Sequence, residues 1–403
     1  MTDVILVQSE ISMGLDGGIT MGIRSKVKAS FMTKQDSVQA LSSRGQLNKY
    51  MLSQFFIQLV NLQQLIKSMN EFVGDGKFVK TSTLFEGVTL CLNKMMSEMV
   101  HNRYDIDAQA ALIRNCLIKL DISASDIKIK SLYPRLLKLS MIVDKPNQAL
   151  LNGKLKTELE ALLGESLKIN VGKVKSRNMK IDIVSSRNFK LEHGVAYVGK
   201  GGNKVSGDSY LYENFQNGTS MLAISDGMGH GALAHEESRV ALKVLKSMLN
   251  FDVPVADAIG VLADLKKQTN TEERFFSLDL CLIDKEKGKA HFYKQAATTT
   301  FLLRGDAVSR IEMSGLPIGA VQALEIDQVS IDLQIGDMII MCSDGILDTF
   351  PEGDLFEKRI LKNMGLNVSR ISQDLLDYTV RRNRGVIHDD MMIVSAIYKP
   401  TRS

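Results

Sequence analysis

The chain of 403 residues is long enough for two or three domains. Hydrophobic residues make up 44% of it and charged residues 24%, which is ordinary for soluble globular proteins and excludes a wholly disordered or collagen-like chain. The net charge of +4 is too small to indicate a nucleic-acid partner, but it hides an asymmetry. Residues 1–190 carry 27 basic and 17 acidic side chains, whereas residues 191–403 carry 23 and 29, which indicates two units with different functions.

The four cysteines lie far apart, and no pair of them has the spacing of metal ligands. Cys281 and Cys342 lie in apolar segments, which favours buried, reduced thiols. The N-terminus lacks the basic region and apolar core of a secretion signal, and no run of ~18 apolar residues is present that would span a membrane. We therefore expect a cytoplasmic protein.

The front part of the chain is predicted to be mainly helical. Residues 1–45 mix short apolar stretches with Gly, Ser and Thr and indicate no regular element. Apolar side chains then recur at steps of three and four residues, which predicts helices over Gln46–Met69, Ser82–His101 and Asp107–Leu120.

The pattern changes further along the chain. Thr157–Leu163 is predicted to be a short helix that ends at Gly164. Leu167–Val171 and Lys180–Val184 alternate apolar and polar residues, which is the period of a strand. Strands dominate from there on, and we place a domain boundary near residue 188.

Four aspartates flank apolar strands in the back half. Met221–Ile224 and Met338–Cys342 are buried strands that lead into Asp226 and Asp344, each followed by glycine. Two further aspartates, Asp208 and Asp389, precede strands instead.

In an antiparallel sheet, the end of one strand lies beside the start of its neighbour. Two aspartates at strand ends and two at strand starts can therefore converge on one edge. Carboxylates gathered in this way repel one another unless a cation binds, and Mg²⁺ or Mn²⁺ prefers such oxygen ligands. Gly227 permits close backbone approach, so its carbonyl is a further candidate ligand. Taken singly, each Asp-Gly is also a common turn dipeptide, and only the set of four favours a site.

The segment Gly227–Gly231 is rich in glycine and precedes a long predicted helix from Ala232 to about Leu249. Such loops bind phosphate in some proteins, although a single loop is a weak signal. His230 in this loop is a candidate proton donor or phosphate contact, and a purely structural role is an equal alternative.

Several motifs, taken in order, resemble the metal-dependent protein phosphatases of the phosphatase 2C (PP2C) superfamily. They are Ser206–Ser209, Ser225–Gly231, Ser343–Ile346 and Asp389–Met391. Two more segments, Lys200–Gly202 and Ser314–Gly319, are similar to the sporulation branch of the bacterial members. The resemblance covers residues from about 188 to 398, and a weaker one extends upstream through Leu162–Glu165.

The resemblance implies an α+β fold, a four-layer sandwich of two antiparallel β-sheets flanked by helices and preceded by a mainly helical regulatory region. The implied organisation is a poorly defined segment over residues 1–45, a mainly helical regulatory region with a small α/β end over residues 46–187, and a phosphatase domain over residues 188–403.

The resemblance also implies a role for each matched residue. Asp208 would bridge two Mn²⁺ or Mg²⁺ ions. Asp226 and the carbonyl of Gly227 would hold one ion, and Asp344 and Asp389 the other.

Two other acidic positions have less direct roles. Asp390 matches a neighbouring acidic or amide position of the family, and Asp279, in the middle of a strand, is interpreted as structural support. The phosphate-binding arginine of the eukaryotic members has no visible counterpart in this sequence.

The implied activity is hydrolysis of phosphoserine or phosphothreonine in proteins by metal-activated water, with no covalent phosphoenzyme. The implied substrate is a phosphorylated anti-sigma-factor antagonist in a sporulation or partner-switching pathway. The upstream helices would regulate the catalytic domain and support a homo-oligomer, or they would form a separate core with no switching role.

Two other functions remain open. A phosphatase fold that has lost its chemistry would only bind a phosphoprotein, although every metal position that can be matched is present. A two-metal nuclease or nucleotide hydrolase is the second alternative. The acidic back half offers no basic groove for a polyanion, so we expect no nucleic-acid partner.

Overall fold

A computed structural model of the protein describes eleven segments of the chain. They are residues 42–73, 81–131, 137–144, 151–173, 178–186, 188–215, 217–227, 231–268, 275–320, 326–351 and 354–401. His230 and almost all of the segment 1–45 therefore lie outside the described residues. The chain divides into two compact units, Met1–Leu52 and Ser53–Ser403, and the packing described below lies within the second.

Two long helices open the described part of the chain. Helix α1 spans Ser42–Val73 and helix α2 spans Thr81–Lys119. The two helices predicted over residues 82–101 and 107–120 are thus one continuous helix, because the polar linker between them contains neither glycine nor proline and so does not interrupt the backbone hydrogen bonds. No helix in the described residues is long and apolar enough to cross a bilayer.

A four-stranded antiparallel sheet and one short helix follow. The strands are β1 (Ala124–Ser131), β2 (Lys138–Asp144), β3 (Leu167–Lys173) and β4 (Asn178–Ser185), in the spatial order β1-β2-β4-β3. Helix α3 (Lys156–Leu163) precedes β3 and ends at Gly164, whose φ of 65° is readily adopted by glycine. Strands β3 and β4 and helix α3 match the sequence-based prediction, whereas β1 and β2 had not been predicted.

The rest of the chain forms a β-sandwich with helices on both sides. Its strands are β5 (Phe189–Val198), β6 (Asp208–Asn214), β7 (Thr219–Asp226), β8 (Leu278–Asp284), β9 (Lys289–Gln295), β10 (Thr300–Arg304), β11 (Ala307–Ile311), β12 (Val329–Asp332), β13 (Met338–Cys342) and β14 (Met391–Pro400). The first sheet has the order β12-β9-β8-β7-β6, and the second has the order β11-β10-β13-β14-β5. Neighbouring strands pair in antiparallel fashion in both sheets.

Five helices accompany these sheets. They are α4 (Ala232–Leu249), α5 (Val255–Lys266), α6 (Asp344–Leu347), α7 (Asp354–Lys362) and α8 (Val368–Arg382). Apolar side chains of α4 and α5 pack on the outer face of the first sheet, and those of α7 and α8 pack on the outer face of the second. Alternate residues of both sheets, such as Leu222 and Val394, fill the space between them. The four-layer fold predicted from the sequence is therefore confirmed.

The C-terminal part of α1 and the N-terminal part of α2 share the core of the first sheet. The rings of Phe72 and Phe276 meet edge to face, with their centroids 6.1 Å apart. Gln268 donates a hydrogen bond to Thr83 (2.7 Å), and an ion pair of 3.8 Å joins Lys243 and Glu71. These two helices thus pack directly on the sandwich.

Candidate metal centre

Asp208 and Asp226 lie opposite each other at one end of the β6–β7 hairpin. Asp208 begins β6, Asp226 ends β7, and the pairing register places their Cα atoms as direct partners. Asp208 is 1% exposed, and neither of its carboxylate oxygens has a hydrogen-bond partner among the described residues. A buried carboxylate with no partner is costly, and a second carboxylate directly across the ladder adds repulsion.

Backbone contacts hold the end of β7 in place. The N–H of Ser277 donates to the carbonyl of Asp226 (3.0 Å), and the hydroxyl of Ser225 donates to the carbonyl of Ser277 (2.9 Å). Gly227 follows at a point where helix α4 comes close, because a Cβ there would lie 2.6 Å from the carbonyl oxygen of Ala234. Only glycine fits at this position without a shift of the helix.

The second sheet brings two more aspartates to this edge. Asp344 follows the end of β13, and Asp389 precedes the start of β14, which is the antiparallel neighbour of β13. Gly345 lies against the same loop, since a Cβ on it would lie 2.2 Å from the carbonyl oxygen of Asp390 and 3.3 Å from the Cβ of Asp389. The two loops are therefore in direct contact.

Both carboxylate oxygens of Asp390 accept hydrogen bonds, and these bonds link the two sheets. Its oxygens accept hydrogen bonds from the backbone N–H groups of Lys200 and Gly207, both at 2.8 Å. The side chain is buried, and Gly207 immediately precedes Asp208. Asp390 thus fixes the loop that carries Asp208.

The carboxylates influence each other's protonation. Burial and then repulsion from Asp344 raise the pKa of Asp226 to about 7. Burial and then repulsion from Asp226 hold the pKa of Asp208 well above the usual range of a carboxyl. Burial is also the main cause of the raised pKa of Asp344, to which Asp389 adds. The charges of this cluster are thus unfavourable as they stand.

These residues fit a hard divalent cation by their chemistry, although they do not form a closed ligand shell. Within the described ranges, no three His, Cys, Asp or Glu side chains are near enough together to form a ready metal-binding group. The donor set consists of carboxylate oxygens, the ligand type that Mg²⁺ and Mn²⁺ prefer. The unpartnered oxygens of Asp208 and the raised pKa values of its neighbours are the features that a bound cation would relieve.

Another buried carboxylate lies on β8. Asp279 accepts hydrogen bonds from Lys294 (2.5 Å) and Thr300 (2.6 Å), so it is part of a buried ion pair. Lys294 had not been singled out from the sequence, because a lysine in an alternating strand is usually solvent-exposed. Its charge on the β9 strand gave no signal of burial.

Lys200 is another residue whose place could not be derived from the sequence. Its ammonium lies 4.0 Å from a carboxylate oxygen of Asp389, and its side chain is partly exposed. The backbone N–H of Lys200 is the one held by Asp390. The positively charged side chain of Lys200 therefore lies at the edge of the carboxylate cluster.

Comparison with known proteins points to one family. Residues 216–398 match the family model described as Stage II sporulation protein E (SpoIIE). The chain is 29% identical over 323 residues to stage II sporulation protein E of Priestia megaterium, which covers 77% of this chain and 54% of that protein. It is 36% identical over 214 residues to the same protein of Bacillus subtilis strain 168, which covers 52% of this chain and 26% of that protein. The chain thus spans about half the length of the first relative and about a quarter of the second.

The fold is similar to a solved structure as well. That structure contains the PP2C phosphatase domain and a fragment of the regulatory domain of the cell fate determinant SpoIIE from Bacillus subtilis. The TM-score is 0.67 at 27% identity, and the match covers 79% of this chain and 96% of that one. Because it covers so much of this chain, it includes part of the region that precedes the sandwich. The resemblance to a PP2C-type phosphatase like SpoIIE is confirmed.

Proposed function

We propose that this chain, whose residues 216–398 resemble the PP2C-type phosphatase SpoIIE, is a metal-dependent protein phosphatase that hydrolyses phosphoserine or phosphothreonine. One observation carries the proposal, namely the buried carboxylate of Asp208, which has no hydrogen-bond partner among the described residues and lies directly opposite Asp226. Such a pair is unfavourable for folding, and a divalent cation between the two side chains would make it favourable.

The proposed ligands come from both sheets. Asp208 would contact two Mn²⁺ or Mg²⁺ ions, Asp226 and the carbonyl of Gly227 would hold one of them, and Asp344 and Asp389 would hold the other. When bound, the two ions would supply a water of lowered pKa as the nucleophile and positive charge for the phosphoryl oxygens.

The chain's own residues would orient the substrate and keep the ligands in place. Asp390 holds the loop before Asp208 through two backbone N–H groups. Lys200 places an ammonium beside Asp389, where it would contact a phosphate oxygen of the substrate. This lysine would take the role of the phosphate-binding arginine of the eukaryotic PP2C members, which has no visible counterpart in this sequence.

The substrate we propose is a phosphorylated protein, namely an anti-sigma-factor antagonist of a partner-switching pathway. Support comes from the resemblance to stage II sporulation protein E, whose name places it in sporulation. We further propose that helices α1 and α2 regulate the phosphatase, because Phe72 of α1 contacts Phe276 and Thr83 of α2 accepts a hydrogen bond from Gln268. The front region is also the part proposed to form a homo-oligomer.

The test is phosphate release by the purified chain from a phosphoserine peptide, with Mn²⁺, with Mg²⁺ and with a chelator. We expect activity only with metal, and its loss in Asp208→Asn and in Asp344→Asn. Asp332→Asn is the matched control, since this aspartate is 87% exposed at the end of β12. Peptide binding without turnover under all metal conditions would instead support an inactive binding module, and faster release from nucleotides would support a nucleotide hydrolase.

A further inference from the structure

Lys294 is at the centre of a buried polar network inside the sandwich. The side chain is fully buried, at 0% exposure. Its ammonium donates to Asp279 (2.5 Å), to the carbonyl of Thr298 (2.6 Å) and to the hydroxyl of Thr300 (2.8 Å). Thr300 in turn donates to the same oxygen of Asp279 (2.6 Å). The three donor bonds of the ammonium are thus all satisfied, as a buried charge requires.

This network joins the two sheets. Asp279 lies on β8 and Lys294 on β9, both in the first sheet, whereas Thr300 begins β10 of the second sheet. Apolar side chains of both sheets also pack in this interior and hold the sheets together without directional bonds. The directional hydrogen bonds that the Lys294 ammonium donates to Asp279 and Thr300 add a constraint on the relative position of the two sheets at this point.

Both sides of the network lead to the carboxylate cluster. Asp279 is the register partner of Ile224, two residues before Asp226 on β7. On the other side, the hydroxyl of Thr298 donates to the carbonyl of Cys342, two residues before Asp344. The network therefore reaches backbone positions that lie two residues before Asp226 on the first sheet and two residues before Asp344 on the second.

We propose that Lys294 is a positioning residue that sets the separation between Asp226 on the first sheet and Asp344 on the second. It touches neither a metal ion nor the substrate and acts through the strands that carry the ligands. The inference rests on the proposed function only in requiring that the cluster binds divalent cations. Its expected consequence is a change in metal affinity that is separate from any change in stability.

The first experiment measures Mn²⁺ binding to the full chain directly, by titration calorimetry, in Lys294→Met. Replacement of a partner that orients metal ligands typically weakens metal affinity by ~10–100-fold, and we expect a loss in that range. Thermal unfolding in the presence of chelator measures stability in parallel, because removing one partner of a buried pair also destabilises the fold.

Lys285→Met is the matched control. Lys285 is also a buried lysine and is likewise hydrogen-bonded, to Asn214 (2.7 Å), but it lies after the end of β8 that is opposite to Asp279. We expect its replacement to lower stability and to leave the Mn²⁺ affinity unchanged. Equal losses of affinity in both variants would overturn the proposal, because a general loosening of the sandwich would then explain them.

The double variant Asp279→Leu/Lys294→Met separates position from charge. It removes both charges together, so the net charge near the cluster is kept, and we expect an apolar pair to regain part of the stability lost in Lys294→Met. We expect weak Mn²⁺ binding to persist despite the regained stability. Recovery of wild-type affinity in this variant would overturn the positioning role, as would wild-type affinity in Lys294→Met.

Mn²⁺ binding to the wild-type chain distinguishes failure of this inference from failure of the proposed function. If the wild-type chain binds Mn²⁺ and Lys294→Met binds it equally well, only the positioning role fails. If the wild-type chain binds no Mn²⁺, the proposed function fails and the positioning role fails with it.

Discussion

Asp208 and Asp226 are direct cross-strand partners, so that two carboxylates occupy one position of the β6–β7 ladder. Strand pairs normally avoid like charges at directly opposed positions, because the repulsion has no compensation in the sheet itself. The pair therefore lowers the stability of the metal-free fold, and the cation proposed to bind here would offset that cost. This relationship leads to the first two predictions.

Asp208→Asn is expected to stabilise the metal-free chain and to abolish its Mn²⁺ binding. The substitution replaces one of two opposed acidic groups with a neutral amide, so a pair of like charges can no longer form, and we expect the free energy of unfolding at pH 8 to rise by about 1 kcal/mol. Urea unfolding with chelator measures this, and calorimetry measures Mn²⁺ binding. Asp332→Asn, on an exposed carboxylate, should change neither quantity. A less stable metal-free Asp208→Asn chain would contradict the prediction.

The stability of the metal-free chain is expected to fall as the pH rises through about 7. The pKa of Asp226 is raised to about 7 in the fold, so the folded state binds more protons than the unfolded state between an ordinary carboxyl pKa and 7. Since stability rises with pH only where the unfolded state binds more protons, the contribution of Asp226 is fully present at low pH and is lost through pH 7. Asp208 and Asp344, whose pKa values are also raised, act in the same direction.

Urea unfolding at pH 5.5, 6.5, 7.5 and 8.5 with chelator measures this dependence. Asp226→Asn should flatten it, and excess Mn²⁺ should reverse it, because metal ions compete with protons for the carboxylates. Metal-free stability that increases steadily over this range in the wild-type chain would rule out the prediction.

Gly345→Ala is expected to disturb the contact between the Asp344 and Asp389 loops. A Cβ at this position would lie 2.2 Å from the carbonyl oxygen of Asp390, so the backbone must shift. We expect a loss of about 1–3 kcal/mol in the free energy of unfolding and weaker Mn²⁺ binding. Gly260→Ala is the matched control, since it lies in helix α5 with no atom within 4 Å of its added Cβ, and it should be neutral or stabilising. Equal stabilities of the two variants would be inconsistent with this steric account.

Lys200→Met is expected to reduce catalytic efficiency on a phosphopeptide without weakening Mn²⁺ binding. The ammonium lies 4.0 Å from Asp389 and is proposed to contact the substrate phosphate, so we expect at least a tenfold fall in kcat/KM and weaker inhibition by inorganic phosphate. Lys200→Arg should retain most of the activity, because it keeps the positive charge. Lys204→Met, in the same exposed loop, is the control and should behave as the wild type.

The packing of the front helices on the sandwich predicts a further effect. Phe72 is buried against Phe276, and Phe276 forms an isolated bridge with Gly227, so Phe72→Ala should destabilise the chain by about 3 kcal/mol and change its rate of phosphate release. Phe85→Ala, at a position that is 71% exposed, should change neither.

A chain that starts at residue 188 should likewise differ from the full chain in activity or in oligomeric mass. Identical rates and masses would show that the front region has no regulatory role.

Part of the sandwich was predictable because two of its strands are short apolar runs that end in Asp-Gly and a long helix follows the glycine-rich segment. Met338–Cys342 and Ala232–Leu249 have the same bounds in the structure as in the prediction. The convergence of Asp208 with Asp226 also followed from the antiparallel rule, since one starts a strand and the other ends its neighbour. The metal-binding roles of these residues remain predictions.

What the sequence did not reveal depends on contacts between distant segments. Strands β1 and β2 are an exception, because they are as long as β3 and β4 and β1 alternates Ile and Lys over residues 127–130, so a local strand signal was present there. The pairing of Lys294 with Asp279 requires knowing that β8 and β9 are neighbours and that both side chains point inward. The hydrogen bond from the backbone N–H of Lys200 to Asp390 joins residues 190 positions apart, and local sequence patterns carry no information at that separation.

The position of β14 determines when the carboxylate cluster can assemble during synthesis of the chain. This strand lies between β13 and β5 inside the second sheet, although it follows every other described strand in sequence. Until it has left the ribosome and inserted, the sheet has a gap, Asp389 and Asp390 are missing from the edge, and the loop of Lys200 is not held. A partly made chain therefore cannot assemble the carboxylate cluster, and the proposed metal binding should arise in a single late step once β14 has entered the sheet.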